Sequence, residues 1–300
     1  MARPSTLRAR PVCCRRDAAS KRWLAISLSA LLGACAGPGS DPAGRTLSEA
    51  RFVLLGEVHD NPLQHQARAA LLRRLLADGR PTRVVFEAID RGRDGAIAAA
   101  AAAAAPDDDA RAEAVAGAGQ LDRAAWRWPL HKPVIAAALA GGARVVGGNL
   151  PRIEARAIVR GGVEAAPPDL RQRLAATPWS AAQRAALEAL IDRGHCGMLP
   201  SAMWPAMALA QRARDAALAD AMLGAAASER AVLIAGNGHV RSDLGVPSVL
   251  RGAGVPAHEI VAVVYLEEGD EAVPADRVLR TPATARSDPC APLRAPAASG

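Results

Sequence analysis

The chain has 300 residues, 50% of them hydrophobic but only 3% aromatic, and a net charge of +7. Its length and apolar content suffice for a domain with a real core, built from Ala, Leu, Val and Ile rather than from rings. Seven Lys and Arg against one Asp fall in residues 1–35, which leaves the rest of the chain near +1; with so few rings to stack on bases, we exclude nucleic acid as a partner.

The first element is a targeting segment. A basic stretch ending at SKRW (20–23) precedes an apolar run from Leu24 to Ala34, too short to span a bilayer. The run closes on Leu32-Gly33-Ala34-Cys35, small residues before a Cys that resemble a bacterial lipoprotein signal. We expect a signal peptide over 1–35, cleavage before Cys35 and lipidation of Cys35. Several acyl chains, each contributing about 0.8 kcal/mol per buried CH₂, would anchor the protein to a membrane. Ala36 after the Cys favours the outer membrane of a bacterial envelope, facing the periplasm. Residues 36–49 read as a flexible tether. Cys13 and Cys14 leave with the signal, so Cys196 and Cys290 remain of the five Cys. Cys290 lies in a Pro/Ala-rich stretch, and we expect no disulfide.

Five β-type runs follow, at 51–56, 82–88, 143–149, 230–238 and 259–267. Helical patterns separate them, at 62–78, 92–105, 120–141, 151–160, 180–193, 200–225 and 243–253. Apolar runs without alternation predict strands buried on both faces, and intervening helices predict crossovers between parallel strands. The expected fold is α/β: a Rossmann-like, mostly parallel central sheet flanked by helices over 50–266, with a helical insertion between the third and fourth strands. Whether the stretch from 92 to 130 forms a lid is left open. Residues 267–300, rich in Pro, Ala, Asp and Arg, read as a mostly disordered tail.

Ligands of open parallel sheets bind outside the carboxyl ends of the strands. Glu57 and His59 follow the first strand, Glu87 closes the second, Asn149 closes the third, and Gly-Asn-Gly-His239 follows the fourth. Each has an ordinary alternative: Glu57 could cap a helix, and His59 could be a loop histidine. A carboxylate at the end of a buried strand, as at Glu87, is costly unless paired or ligating. Asn61 and Pro62 make a good helix start that would bring His65 near the same edge. The loop Arg193 to Pro200 carries His195, Cys196 and Met198, side chains suited to soft or borderline metals and haem iron. Met203, Met207, Gln211, Asp215, Leu218 and Met222 share one helical face. Gln211 and Asp215 interrupt that stripe, so they either pair internally with Arg214 or reach the site.

With GEVHDNPLQHQ, VVFEAI, GHCGMLP, AQRARDAALA and IAGNGHVRSDLGVP in that order, the chain resembles the ChaN-like haem-binding uptake proteins of the Tiki superfamily over about residues 50–266. The resemblance implies a Rossmann-like core and a lipid-anchored envelope protein that binds haem or a small iron complex for iron uptake. Haem ligation in that branch is linked to a Tyr. Here only Tyr265 is present, on the last expected strand, so the axial ligand would be a His or Met. Candidates around haem are His59, His239, His195, Met198, Arg214, Gln211 and Asp215. Other branches of the superfamily are hydrolases with two Gly-x-x-His motifs and an acidic residue, matched here by Gly56 to His59, Glu87, and Gly236 to His239. That implies the alternative of a hydrolase in which Glu57 and Glu87 are catalytic, with or without a divalent metal on His59, Glu87 and His239. A third reading is an envelope interaction protein whose site has become structural. A homodimer sharing a shallow haem site is left open.

Overall fold

The computed structural model describes residues 46–288, 290 and 291, and every structural statement concerns these. The expected signal peptide, the lipidation site Cys35 and the tether up to residue 45 lie outside the described residues.

Six parallel strands form one sheet in the order β3-β2-β4-β1-β5-β6. These are β1 (Phe52–Leu55), β2 (Thr82–Asp90), β3 (Arg144–Asn149), β4 (Arg230–Ile234), β5 (Ile260–Glu267) and β6 (Arg277–Thr281). The four central strands are apolar on both faces because successive side chains enter opposite cores. Val53, Leu55, Val84, Phe86, Val261 and Val263 face one core, and Phe52, Leu54, Val85, Leu233, Ala262 and Val264 the other. Each such Val, Leu or Phe contributes roughly 1.5–3 kcal/mol by leaving water.

The first core is closed by α1 (Pro62–Leu76), α2 (Asp94–Ala102), α3 (Asp108–Ala118) and α4 (Lys132–Ala140). The second is closed by α8 (Trp204–Leu223) and α10 (Val246–Gly252). Between β3 and β4 the chain inserts α5 (Arg152–Gly161), α6 (Pro168–Ala176) and α7 (Ala181–Gly194), which pack on α8 rather than on the sheet. A single turn, α9 (Asn237–Val240), follows β4. None of the helices is long and apolar enough to cross a membrane among the described residues.

Three expectations need correction. The tail read as disordered carries β6, which pairs in parallel with β5 over Val263–Glu267. Its Arg-Val-Leu-Arg-Thr pattern is largely exposed, so it lacks the apolar signature of the inner strands. Arg286 beyond it binds Glu267 at 2.7 Å and Asp60 at 2.9 Å. That return path delivers Cys290 to the loop after α7, where it forms a disulfide with Cys196 with a Cα–Cα distance of 5.7 Å. The expected helix over 120–141 is helical only in α4, because Pro129 disfavours the helical conformation of the residue before it, while Pro133 sits in the first turn of α4, where proline is tolerated. α6 was not anticipated; only Leu170 of it is buried.

Candidate functional site

β1 and β4 are neighbours and β4 also pairs with β2, so their carboxyl ends lie side by side. Two glycines let the chain close up there. A Cβ on Gly56 would meet Asn237 Oδ1 at 2.3 Å, and one on Gly236 would meet the His59 ring at 2.7 Å. The resulting cleft has a volume of about 920 Å³ and is lined by Glu57, His59, Glu87, Gln211, Arg214 and His239, among others. Four strand ends thus converge where expected, although Asn149 acts through Arg214, which donates to its Oδ1 at 3.0 Å.

His59 is half exposed in the cleft, with its Nδ1 3.1 Å from Glu57 Oε1. The other Glu57 oxygen is ion-paired with Arg68, a fully buried residue whose Nη1 reaches the carbonyls of Leu55 and Ala235 at 3.3 and 3.5 Å. His65 is buried beside this pair. Its Nε2 donates to the His59 carbonyl at 2.9 Å, which leaves Nδ1 to accept from Arg68 at 3.0 Å. Burial lowers His65 to about 4, so it is neutral at physiological pH.

His131 stands next to His65, with ring centroids 4.5 Å apart. It is 2% exposed and neither ring nitrogen has a hydrogen-bond partner. Burial, helped by His65 and Arg68, lowers it to about 2. Trp126 packs edge-on against both His59 and His131. The segment between α3 and α4 therefore forms a wall of the site beside His59.

The second half of the site is a carboxylate–imidazole–carboxylate row. His239 Nε2 lies 3.2 Å from Glu87 Oε1, and Nδ1 lies 2.6 Å from Asp215 Oδ1. Burial alone would keep His239 neutral, but Glu87 and Asp215 outweigh it and raise it to about 10. Burial also opposes ionisation of Glu87, yet the imidazolium and the Gly236 N–H, 2.7 Å away, hold its carboxyl well below the usual range. Burial raises Asp215, with His239 pulling the other way. The Gln211 amide lies 3.1 Å from His239 Nε2. Gln211 and Asp215 thus reach the site, while Arg214 turns to Asn149.

The expected metal set of His59, Glu87 and His239 is not assembled. Both nitrogens of His239 face carboxylates, Nε2 that of Glu87 and Nδ1 that of Asp215. Among the described residues, the Glu/His group whose ligand atoms lie within 4.8 Å of one another is Glu57, His65 and His131. Arg68, already on Glu57 and His65, supplies a fixed positive charge there. His195 lines the cleft, with Nδ1 donating to the Ile191 carbonyl at 2.7 Å. Cys196 is consumed by the disulfide, and Met198 is 54% exposed outside the cleft lining. Tyr265 is 3% exposed in the core, so it does not replace them.

Sequence reasoning missed Arg68, Trp126 and His131, together with Arg152, Arg156 and Arg160 on α5. The first three carry no motif spacing. The arginines did carry one, at every fourth position in RIEARAIVR, and all three line the cleft.

The architecture is that of a parallel α/β protein with a basic, histidine-bearing cleft at its strand ends. Residues 44–250 match the family described as "Haem-binding uptake, Tiki superfamily, ChaN", and the chain belongs to that family. The solved structure of ChaN of Campylobacter jejuni, described as cofacial haem binding, is similar at 19% identity and a TM-score of 0.62. The match covers 77% of this chain and 88% of that one. Looser likenesses are an erythromycin esterase, EreC, in its open conformation (15% identity, TM-score 0.40, 73% and 70% of the two chains) and the type III effector HopBA1 (13%, 0.41, 79% and 90%). These likenesses concern the fold. No curated protein matched the chain.

Proposed function

We propose that this protein binds haem in the cleft, with His59 as axial ligand, and serves iron uptake from a lipid-anchored position in a bacterial envelope. Membership of the haem-binding family supports haem as the ligand class. The observation that carries the residue assignment is His59 itself. Glu57 holds Nδ1 at 3.1 Å, so the proton sits there and Nε2 keeps a free lone pair. A ligating histidine is ordinarily fixed in this way by a carboxylate on its other nitrogen. The cleft fits the group: about 920 Å³ is at the upper end of small-molecule sites, roughly 300–1,000 Å³. Ala155, Val159, Ile191, Met207 and Ala210 supply apolar walls. Haem is cargo in this reading, and the protein's part is to bind, orient and shield it.

A haemin titration followed in the Soret region tests the proposal. A saturable band shift that weakens at least about tenfold, equivalent to about 1.4 kcal/mol, is expected in His59→Ala. No saturable shift in the wild type would refute it.

One observation favours a second reading. The Glu57–His59 pair would also serve as a general base toward water and an ester, typically worth 10²- to 10⁴-fold. His239, clamped as an imidazolium, would then stabilise charge rather than shuttle protons. Turnover of a panel of nitrophenyl esters, lost in His59→Ala, would favour this reading; absence of turnover would dismiss it.

A further inference from the structure

α5 presents Arg152, Arg156 and Arg160 to the cleft. Residues four apart lie on one helical face and rise about 6 Å per step. The opposite face of α5 buries Ile158 against α8, and Ala155 is buried on the shoulder between that face and the row. The three guanidinium groups therefore form a row along the cleft mouth, fixed at its base by packing.

These arginines make no hydrogen bond or ion pair among the described residues, and that separates them from other surface arginines of this protein. Arg91 bridges Glu154 at 3.0 Å and Asp169 at 2.6 Å, Arg171 binds Glu164 at 3.0 Å, and Arg241 binds Asp243 at 2.7 Å. Glu154 lies on α5 itself yet pairs with Arg91, away from the row. Nor can the cleft neutralise the row from within. Its two lining carboxylates, Glu57 and Glu87, are already engaged by Arg68 and by His239, the latter shared with Asp215. Arg214, on α8, adds a fourth positive charge to the lining, and its hydrogen bond goes to the neutral amide of Asn149.

We infer that this row is a carboxylate clamp: Arg152, Arg156 and Arg160, with Arg214, grip the acidic edge of a flat apolar ligand, so that the cleft binds porphyrin dicarboxylates with or without iron. The guanidinium fork matches a carboxylate with two parallel N–H···O bonds, and a 6 Å step allows neighbouring arginines to take neighbouring carboxylates. Ala155 and Val159 lie within the row and Met207 and Ala210 line the same cleft, apolar surface suited to a ring system. The inference rests on the haem reading but shifts the source of affinity from the iron to the ligand's acidic edge.

The test titrates the full chain in detergent with haemin, metal-free protoporphyrin IX and protoporphyrin IX dimethyl ester. The same titrations are run on Arg152→Gln/Arg156→Gln/Arg160→Gln. With the charge-assisted contacts to both carboxylates lost, the diester should bind about tenfold or more weakly than the diacid. The triple variant should lose that preference and most of the salt dependence, with an unchanged thermal melt because the replaced side chains hold nothing else. Equal binding of diacid and diester, or a preference that survives in the triple variant, overturns the clamp while leaving haem binding through His59 standing. Binding of no porphyrin by the wild type overturns the clamp and the haem reading together. Inhibition of diacid binding by inorganic pyrophosphate as strong as that by a simple dicarboxylate would make the row a general anion site and also overturn the clamp.

Discussion

His59 Nδ1 lies 3.1 Å from Glu57 Oε1, and the opposite oxygen of the same carboxylate is ion-paired with the buried Arg68. One carboxylate therefore faces outward to a half-exposed imidazole and inward to a fixed cation, and it couples the core to the cleft.

Breaking that inner pair should be costly. Arg68→Met leaves Glu57 buried with its main counter-charge gone, and removing one partner of a buried pair costs about 3–5 kcal/mol. Urea denaturation should show a loss of that size, and a loss below about 1 kcal/mol would mean that Arg68 contributes little. Glu57→Gln keeps the shape, yet strands the guanidinium and weakens the hold on His59. It should lower both stability and haemin affinity.

Stability should peak near pH 6.5. His65, lowered to about 4 in the fold, is neutral where the unfolded histidine is charged, so stability falls as pH drops from 6.5 toward 4. His239, raised to about 10, contributes fully below pH 6.5 and loses its contribution as pH climbs through 10. Melting temperature against pH should trace both limbs. His239→Gln should flatten the alkaline limb, and an unchanged alkaline limb in that variant would contradict the charged row.

Gly236→Ala probes the position of His59 without touching it. The new Cβ would stand 2.7 Å from the ring, so the imidazole must move. Haemin affinity should fall with little change in the circular dichroism spectrum. Wild-type affinity in this variant would show that the ring can shift without consequence.

The disulfide between Cys196 and Cys290 closes 94 residues of chain. Disulfides typically contribute about 2–4 kcal/mol, and chain entropy puts a loop of this size at or above the upper end of that range. Cys290→Ser, or reduction, should lower the melting temperature. Identical melts with and without reductant would show the bridge to be energetically idle.

Much of this was legible in the sequence, for physical reasons. β1, β2, β4 and β5 are buried on both faces, so their apolar runs announce a parallel sheet, and parallel sheets place polar residues at their carboxyl ends. Glu57, His59, Glu87 and His239 were readable on that basis. Arg68 and His131 were not, because a buried arginine and a loop histidine carry no periodicity, and their meaning comes from Glu57 and His65 across folded space. β6 escaped notice because a mostly exposed edge strand needs little apolar content. The disulfide followed from β6, since without that strand nothing returns Cys290 to the α7 loop.

The most direct measurement is the haemin difference spectrum of wild type, His59→Ala, and His59→Ala with added imidazole. The expected result is a saturable Soret band in the wild type, its loss in the variant, and its return with imidazole filling the vacated position. A band of unchanged position and affinity in His59→Ala would remove His59 as the ligand and contradict the site assignment at its centre.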